Sequence, residues 1–85
     1  MQRRVPGGRR EIAGAVLTMS TMGGYSVTHE DDYLGYLHMV EDQFNAYRRK
    51  TGEADDWLGL FGLEDGVKAI LHACGRTVPE QHQVA

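Results

Sequence analysis

The sequence has few of the features that place a small protein in a class. It contains a single cysteine, Cys74, so no disulfide can form within the chain, which fits a reducing, cytoplasmic setting. It has no uninterrupted apolar run of about 18 residues, the length that a membrane-spanning helix needs, so we expect no membrane partner. With 85 residues it is long enough for one domain and too short for a two-domain enzyme.

Signatures of metal binding and catalysis are also missing. His38 and Glu41 are three residues apart, but metal-binding helical bundles place the glutamate first and use the pair twice. No spacing among the histidines and Cys74 matches a closed zinc site. Cys74 is predicted to be a small buried hydrophobe near a helix C-terminus, where the dipole disfavours a thiolate. The glycines within residues 59–66 lack the Lys-Ser/Thr of a phosphate loop. We predict no catalytic, cofactor-binding or metal-ligating residue, and no enzyme.

Charge is distributed unevenly along the chain. Residues 1–27 contain four arginines and one glutamate, whereas residues 28–85 contain five basic and eleven acidic residues. Phosphate contacts need a basic surface, so an acidic folded part makes nucleic acid an unlikely main partner.

The N-terminal residues offer little to bury. Residues 1–24 are expected to form a disordered or loosely attached arm. Three alternatives remain for residues 12–19: a secretory signal, a short strand or helix packed on the rest, or a loosely attached leader. Met19 and Met22 both precede the first well-formed structural signal, so either is an alternative start to Met1.

A long amphipathic helix is predicted over residues 29–50. Thr28 fits the N-cap, acidic residues crowd the first turn and basic residues the last, and Gly52 follows as a terminator. Apolar residues then recur at spacings of four, three, four and three, which is a heptad seam: Tyr33, Leu37, Val40, Phe44 and Tyr47. Gly35 is the one misfit, since glycine costs about 1 kcal/mol in a helix interior.

A broken return helix is predicted over residues 55–61 and 63–74, with Gly62 at the break and Gly75 at the end. The alternative is one continuous helix presenting a stripe of small residues. Trp57 and Phe61 share a face of the first part and can anchor either a core or an interface, where tryptophan is enriched.

The resulting fold class is all-α, with residues 25–80 forming one small helical domain and residues 81–85 frayed. Two helices cannot enclose a core, so dimerisation into a helical bundle is expected. The predicted interface consists of Tyr33, Leu37, Val40, Phe44, Tyr47, Trp57 and Phe61.

The function expected from this pattern is that of a self-associating helical protein–protein interaction module: an adaptor, inhibitor or regulator that forms a homodimer and binds another protein. One alternative is a DNA-binding regulator with a helix-turn-helix-like C-terminal half, residues 63–74 followed by residues 77–85, although the second segment has no Lys or Arg. A third is a metal-binding helical bundle.

Overall fold

The computed structural model describes residues 9–20 and 23–76, and these form an antiparallel sheet with a helix packed on it. The strands follow each other in sequence order across the sheet, each paired with its chain neighbour. They are β1 (Arg9–Ile12), β2 (Ala15–Ser20), β3 (Gly24–His29), β4 (Asp32–Val40), β5 (Gln43–Arg48) and β6 (Asp56–Phe61), followed by helix α1 (Leu63–Ala73).

Three of the strand connections are two-residue turns in which residues other than glycine adopt positive φ. Ala13 and Gly14 both have positive φ, as do Glu30 and Asp31, which is the backbone of the hairpin turns that suit a twisted sheet. In the third turn only Glu41 has positive φ. None of the three turns contains the Asn-Gly or Asp-Gly pair that usually indicates such a hairpin in a sequence.

Two β-bulges each direct an extra leucine towards the core. The β3–β4 register shifts so that Val27 pairs with Gly35 while Thr28 pairs with Tyr33, which leaves Leu34 as the additional residue. The β5–β6 register shifts in the same manner at Leu58. Leu34 is buried in the core, and Leu58 packs against it.

Helix α1 supplies the other half of the core. Val67, Ile70 and Leu71 are fully buried and belong to one cluster with strand residues as distant as Leu17 on β2. Because Leu37 at the centre of β4 is buried in the same cluster, the side of the sheet that carries it is the covered face. Successive side chains of a strand alternate, so the neighbouring residues point to the opposite, open face.

Two arginines fasten the C-terminal end of α1 to the sheet. Arg48 on β5 donates from Nη1 to the Ala73 carbonyl oxygen at 3.1 Å and from Nη2 to Asp56 Oδ2 at 2.5 Å. Arg76, just beyond the helix, donates to Asp32 Oδ2 at 2.6 Å and to His29 Nδ1 at 3.1 Å. The position of α1 is thereby fixed relative to β3, β4, β5 and β6.

The all-α prediction and the helical bundle derived from it are wrong. Residues 29–50 are the end of β3, two turns and strands β4 and β5. The heptad-like spacing arises because strand alternation is interrupted by the bulge at Leu34 and by the turn at Glu41. The acidic residues expected in the first helical turn instead form the β3–β4 turn.

The predicted return helix is half right. Residues 55–61 are mostly β6, whereas α1 confirms the second helical segment with only its last residue different, and it begins after Gly62 as expected. Of the three alternatives for residues 12–19, the structure has a strand, and Ala15 and Leu17 are fully buried there. Residues 9–20 are therefore sheet and not a loose arm. Expectations for residues 1–8 and 77–85 lie outside the described residues.

Candidate surface on the open face of the sheet

A row of side chains crosses the open face from β1 to β6. The pairing registers place Arg9 beside Thr18, Thr18 beside Ser26, and Ser26 beside Tyr36. Tyr36 is beside Tyr47, and Tyr47 is beside Trp57. The row therefore changes from small hydroxyl side chains on β2 and β3 to large aromatic side chains on β4, β5 and β6.

The aromatic half of this row, together with Tyr33 near the start of β4, forms a strip called the aromatic ridge, which consists of Tyr33, Tyr36, Tyr47 and Trp57. The rings of Tyr36 and Tyr47 stack with centroids 4.8 Å apart. Trp57 donates from Nε1 to Oδ1 of Asn45 at 2.8 Å, and the Arg49 guanidinium lies 5.3 Å from the ring centroid of Tyr33. Each ring of the ridge is held by a neighbour.

Large apolar side chains on this face are unusually open to solvent. Trp57 is 61% exposed, Leu60 47%, Tyr33 42% and Val40 38%. Scattered exposed apolar residues are ordinary, but a contiguous group rimmed by polar residues is typical of an interaction site.

A depression lies beside the ridge, on the side of the small residues. Its lining includes Ser20, Gly24 and Ser26 on the low side and Tyr33, Tyr36 and His38 on the high side, and its volume is about 250 Å³. The part of the open face formed by Thr18, Ser20, Gly24, Ser26 and Thr28 is called the hollow below. The Tyr36 ring, which stacks on Tyr47 of β5, and Ser26 on β3 both line the depression.

Two tyrosines of the ridge, Tyr33 and Tyr36, are in a partly desolvated and acidic environment. Partial burial raises the pKa of Tyr36 above its ordinary value, and the Asp55 carboxylate nearby raises it further. The pKa of Tyr33 is raised for the same two reasons, although Arg49 opposes the shift. Both phenols are therefore protonated at neutral pH and present hydrogen-bond donors to whatever covers the face.

The seven residues predicted as an interface do not form one surface. Tyr33, Val40, Tyr47 and Trp57 lie on the open face, where they stay a predicted interface. Leu37 is buried, and Phe44 and Phe61 pack against the core on the covered face. Sequence reasoning missed Tyr36, Asn45 and Leu60 as residues of this face. The alternation of polar and apolar residues over Gln43–Arg48 is the signal that indicates a strand and places Asn45 on the same face as Tyr47.

Comparison with known proteins finds no relative of this chain. Protein-family models, curated proteins and solved structures give no match to the chain, enzyme families included.

Two further alternatives from the sequence concern other parts of the molecule. Within residues 9–20 and 23–76, no group of three or more His, Cys, Asp or Glu side chains is arranged to hold a metal ion. The DNA-binding alternative needs a second helix in residues 77–85, which lie outside the described residues, and its first helix is α1, which packs on the sheet. In the described part of the chain no helix is long and apolar enough to cross a membrane.

Proposed function

We propose that this protein is a small cytoplasmic interaction module, an adaptor or regulator, which binds other polypeptides through the open face of its sheet. The aromatic ridge is the contact surface, and the helix-covered face serves as its support.

One observation carries the proposal: Trp57 is the most exposed large apolar residue on the face and is also tethered, through Nε1, to Asn45. A free surface tryptophan loses rotamer freedom on binding, whereas a tethered one has lost part of it already. Tryptophan and tyrosine supply much of the binding energy at protein interfaces, especially where they cluster at the centre of a patch. A cluster of aromatic rings that is already held in place is therefore typical of a binding surface.

The charges of the face favour a polypeptide over a nucleic acid. Among the residues that the structure describes, the cationic side chains on this face, Arg9 and Arg49, are accompanied by Glu11 and Asp55 and do not form a basic stripe. The described residues as a whole contain seven basic and eleven acidic side chains. A phosphate backbone would need a basic surface along its path.

The size of the depression between Ser26 and Tyr36 also favours a side chain over a free small molecule. Ligand pockets typically enclose about 300–1,000 Å³, and this depression, at about 250 Å³, falls below that range and is open on one side. An aromatic or aliphatic side chain of a partner fits such a depression better than a ligand that must be enclosed.

The test is site-specific photo-cross-linking. A photoreactive phenylalanine analogue replaces Trp57 in one version of the full chain and Lys68, on the solvent side of α1, in a matched version. We expect a discrete adduct with a second polypeptide from position 57 and none from position 68. The adduct should disappear when Tyr36 and Tyr47 are both changed to Ala. Equal protein adducts from the two positions, or an adduct indifferent to the two tyrosines, would refute the proposal.

A further inference from the structure

We infer that the open face takes a second copy of this chain, through a two-fold axis that runs parallel to the strands between β3 and β4. This inference rests on the proposed function and names a partner for it. In this arrangement the aromatic ridge of each copy enters the hollow of the other.

The inference starts from the pairs that β3 and β4 form along their length. On the open face Thr28 is beside Tyr33, Ser26 is beside Tyr36, and Gly24 is beside His38. In each pair the β3 residue is small and the β4 residue is large. The same contrast in size holds for the next strand on each side. Thr18 and Ser20 on β2 are small, whereas the residues at the equivalent positions on β5, Tyr47 and Asn45, are larger.

A two-fold axis along the boundary between β3 and β4 places the small side chains of one copy opposite the large side chains of the other. Such an axis places β3 of one copy over β4 of the other, and β2 over β5. Ser26 then faces Tyr36 of the second copy, and Thr18 faces its Tyr47. Packed sheets are about 10 Å apart, a distance that one large and one small side chain fill between them. An axis perpendicular to the strands would instead set ridge on ridge and leave the hollows empty.

The ends of the row are complementary as well. The same axis places Arg9 on β1 over Trp57 of the second copy, and a guanidinium over an indole ring is an attractive pair. Trp57 offers the ring for this contact because its Nε1 is already bound to Asn45.

The size of the face is sufficient for a weak dimer. Six strands about 4.8 Å apart, with about six residues each at 3.3 Å, cover roughly 24 by 20 Å, on the order of 500 Å² per copy. Two copies bury on the order of 1,000 Å², near the minimum for a specific interface, so a dissociation constant in the micromolar range is expected.

Acidic groups at the β3–β4 end of the face oppose association. The axis brings the two β3–β4 turns together, with Glu30 and Asp31 in each turn and Asp32 at the start of β4. Arg76 binds Glu30 and Asp32 in each copy, at 3.5 Å and 2.6 Å, which leaves Asp31 to repel its counterpart. Because salt screens such repulsion over about 10 Å at 0.1 M, dimerisation should strengthen between low and physiological ionic strength.

The experiment is a pair of complementary variants studied by sedimentation equilibrium. Thr18→Tyr fills the hollow, and Tyr47→Ala removes the part of the ridge that faces Thr18. Each variant alone should dimerise at least about tenfold more weakly than the natural chain. Mixed together, they should form a one-to-one heterodimer within about threefold of the natural affinity, because the larger residue of one variant meets the smaller residue of the other. Ser26→Tyr mixed with Tyr36→Ala provides a second, independent pair, and Lys68→Tyr on the outer side of α1 is the control that should change nothing.

The possible failures point to different conclusions. A natural chain that stays monomeric at millimolar concentration overturns the inference, while the cross-linking test of the proposed function is unaffected by it. A dimer that tolerates Thr18→Tyr overturns it too. Variants that weaken the dimer singly but do not compensate in either mixed pair refute the axis.

Discussion

Asn45 and Trp57 are joined across β5 and β6 by a hydrogen bond of 2.8 Å from the indole Nε1 to the amide Oδ1. The most exposed aromatic ring of the open face is thus held by a polar side chain of the neighbouring strand. The bond itself is exposed, so its contribution to the free energy of unfolding is small. Its consequence is positional, because it limits the orientations of the ring.

Changing Asn45 to Ala is therefore expected to weaken binding more than folding. We expect the affinity of the open face for its partner to fall about five- to tenfold and the free energy of unfolding to change by less than about 0.5 kcal/mol. Trp57 is the only tryptophan of the chain, so time-resolved fluorescence anisotropy should show faster ring motion in the variant. Gln43→Ala, two residues away on the same face, is the matched control. Equal losses of affinity in both variants would contradict a specific role for the Asn45 bond.

The β3–β4 turn stores backbone strain that glycine should relieve. Asp31 has a φ of 70°, a conformation that costs a residue with a Cβ about 1–2 kcal/mol. Asp31→Gly should raise the free energy of unfolding by about 0.5–1 kcal/mol after the greater freedom of glycine in the unfolded chain is subtracted. Asp42 occupies the second position of the next turn without positive φ, so Asp42→Gly should lower stability by about 0.5 kcal/mol. Urea denaturation of the two variants should give shifts of opposite sign, and shifts of the same sign would show that turn strain is not the cause.

Gly35 is predicted to be intolerant of any side chain. A Cβ at this position would be 2.0 Å from the backbone carbonyl oxygen of Tyr47, and neither strand can yield without losing pairing. Gly35→Ala should destabilise the fold by about 3 kcal/mol or more.

Gly62 offers the contrasting case. It is the N-cap of α1, its φ is −70°, and a Cβ there would meet no atom within 4 Å. Gly62→Ser adds a capping hydroxyl and should stabilise by about 0.5–1 kcal/mol. Thermal unfolding compares the two directly, and a mild effect of Gly35→Ala would mean that β4 and β5 approach less closely than described.

Acid should weaken the attachment of β6 to β5. The hydrogen bond from Arg48 holds the pKa of Asp56 below its ordinary value, and Lys50, with Nζ 3.5 Å from Oδ1, acts in the same direction. A lowered carboxyl pKa means that the folded state binds protons less readily than the unfolded chain. The stabilisation is therefore complete above the ordinary pKa of 3.8 and is lost as the pH falls through the lower pKa of the folded state.

The variant Asp56→Asn tests this dependence. Its melting temperature should lie below that of the natural chain at pH 7, and the difference should shrink below about pH 4. Glu53→Gln removes the exposed Lys50–Glu53 pair, whose Nζ and Oε1 are 3.0 Å apart, and should change the melting temperature little at either pH. A difference for Asp56→Asn that is constant with pH would contradict a role for the ionised carboxylate.

The sequence predicted α1 because the signals of that helix are local. Glu64 and Asp65 lie in its first turn, buried residues recur at helical spacing, and Gly75 follows its end. Nothing distant is needed to recognise them, so the position of the helix was correct to within one residue.

Strands β4 and β5 were missed because two irregularities imitate a helical period. Tyr33 and Leu37 are four residues apart and would share a face in a regular strand, but the bulge at Leu34 puts them on opposite faces. Val40 and Phe44 are four apart only because the turn at Glu41 lies between them. Bulges and turns formed by acidic residues depend on the partner strand, which a local pattern does not contain.

The candidate site was predicted in composition but not in arrangement. Tyr33, Tyr47 and Trp57 were identified as contact residues, whereas the small residues opposite them, such as Ser26, carried no signal. The hollow forms where a small residue of one strand is paired with a large residue of the next strand. Only the register between β3 and β4 shows which small residue is beside which tyrosine.

The strictly sequential order of the strands also affects how the chain folds during its synthesis. Each strand pairs with the one made just before it, so the sheet can grow hairpin by hairpin as synthesis proceeds. Helix α1, which covers the apolar side of β4, β5 and β6, is made after all of them. Until Leu63–Ala73 has been synthesised and docked, Leu37, Ala46 and the other core residues of the sheet are exposed to solvent, and in this interval the nascent chain is most prone to aggregate.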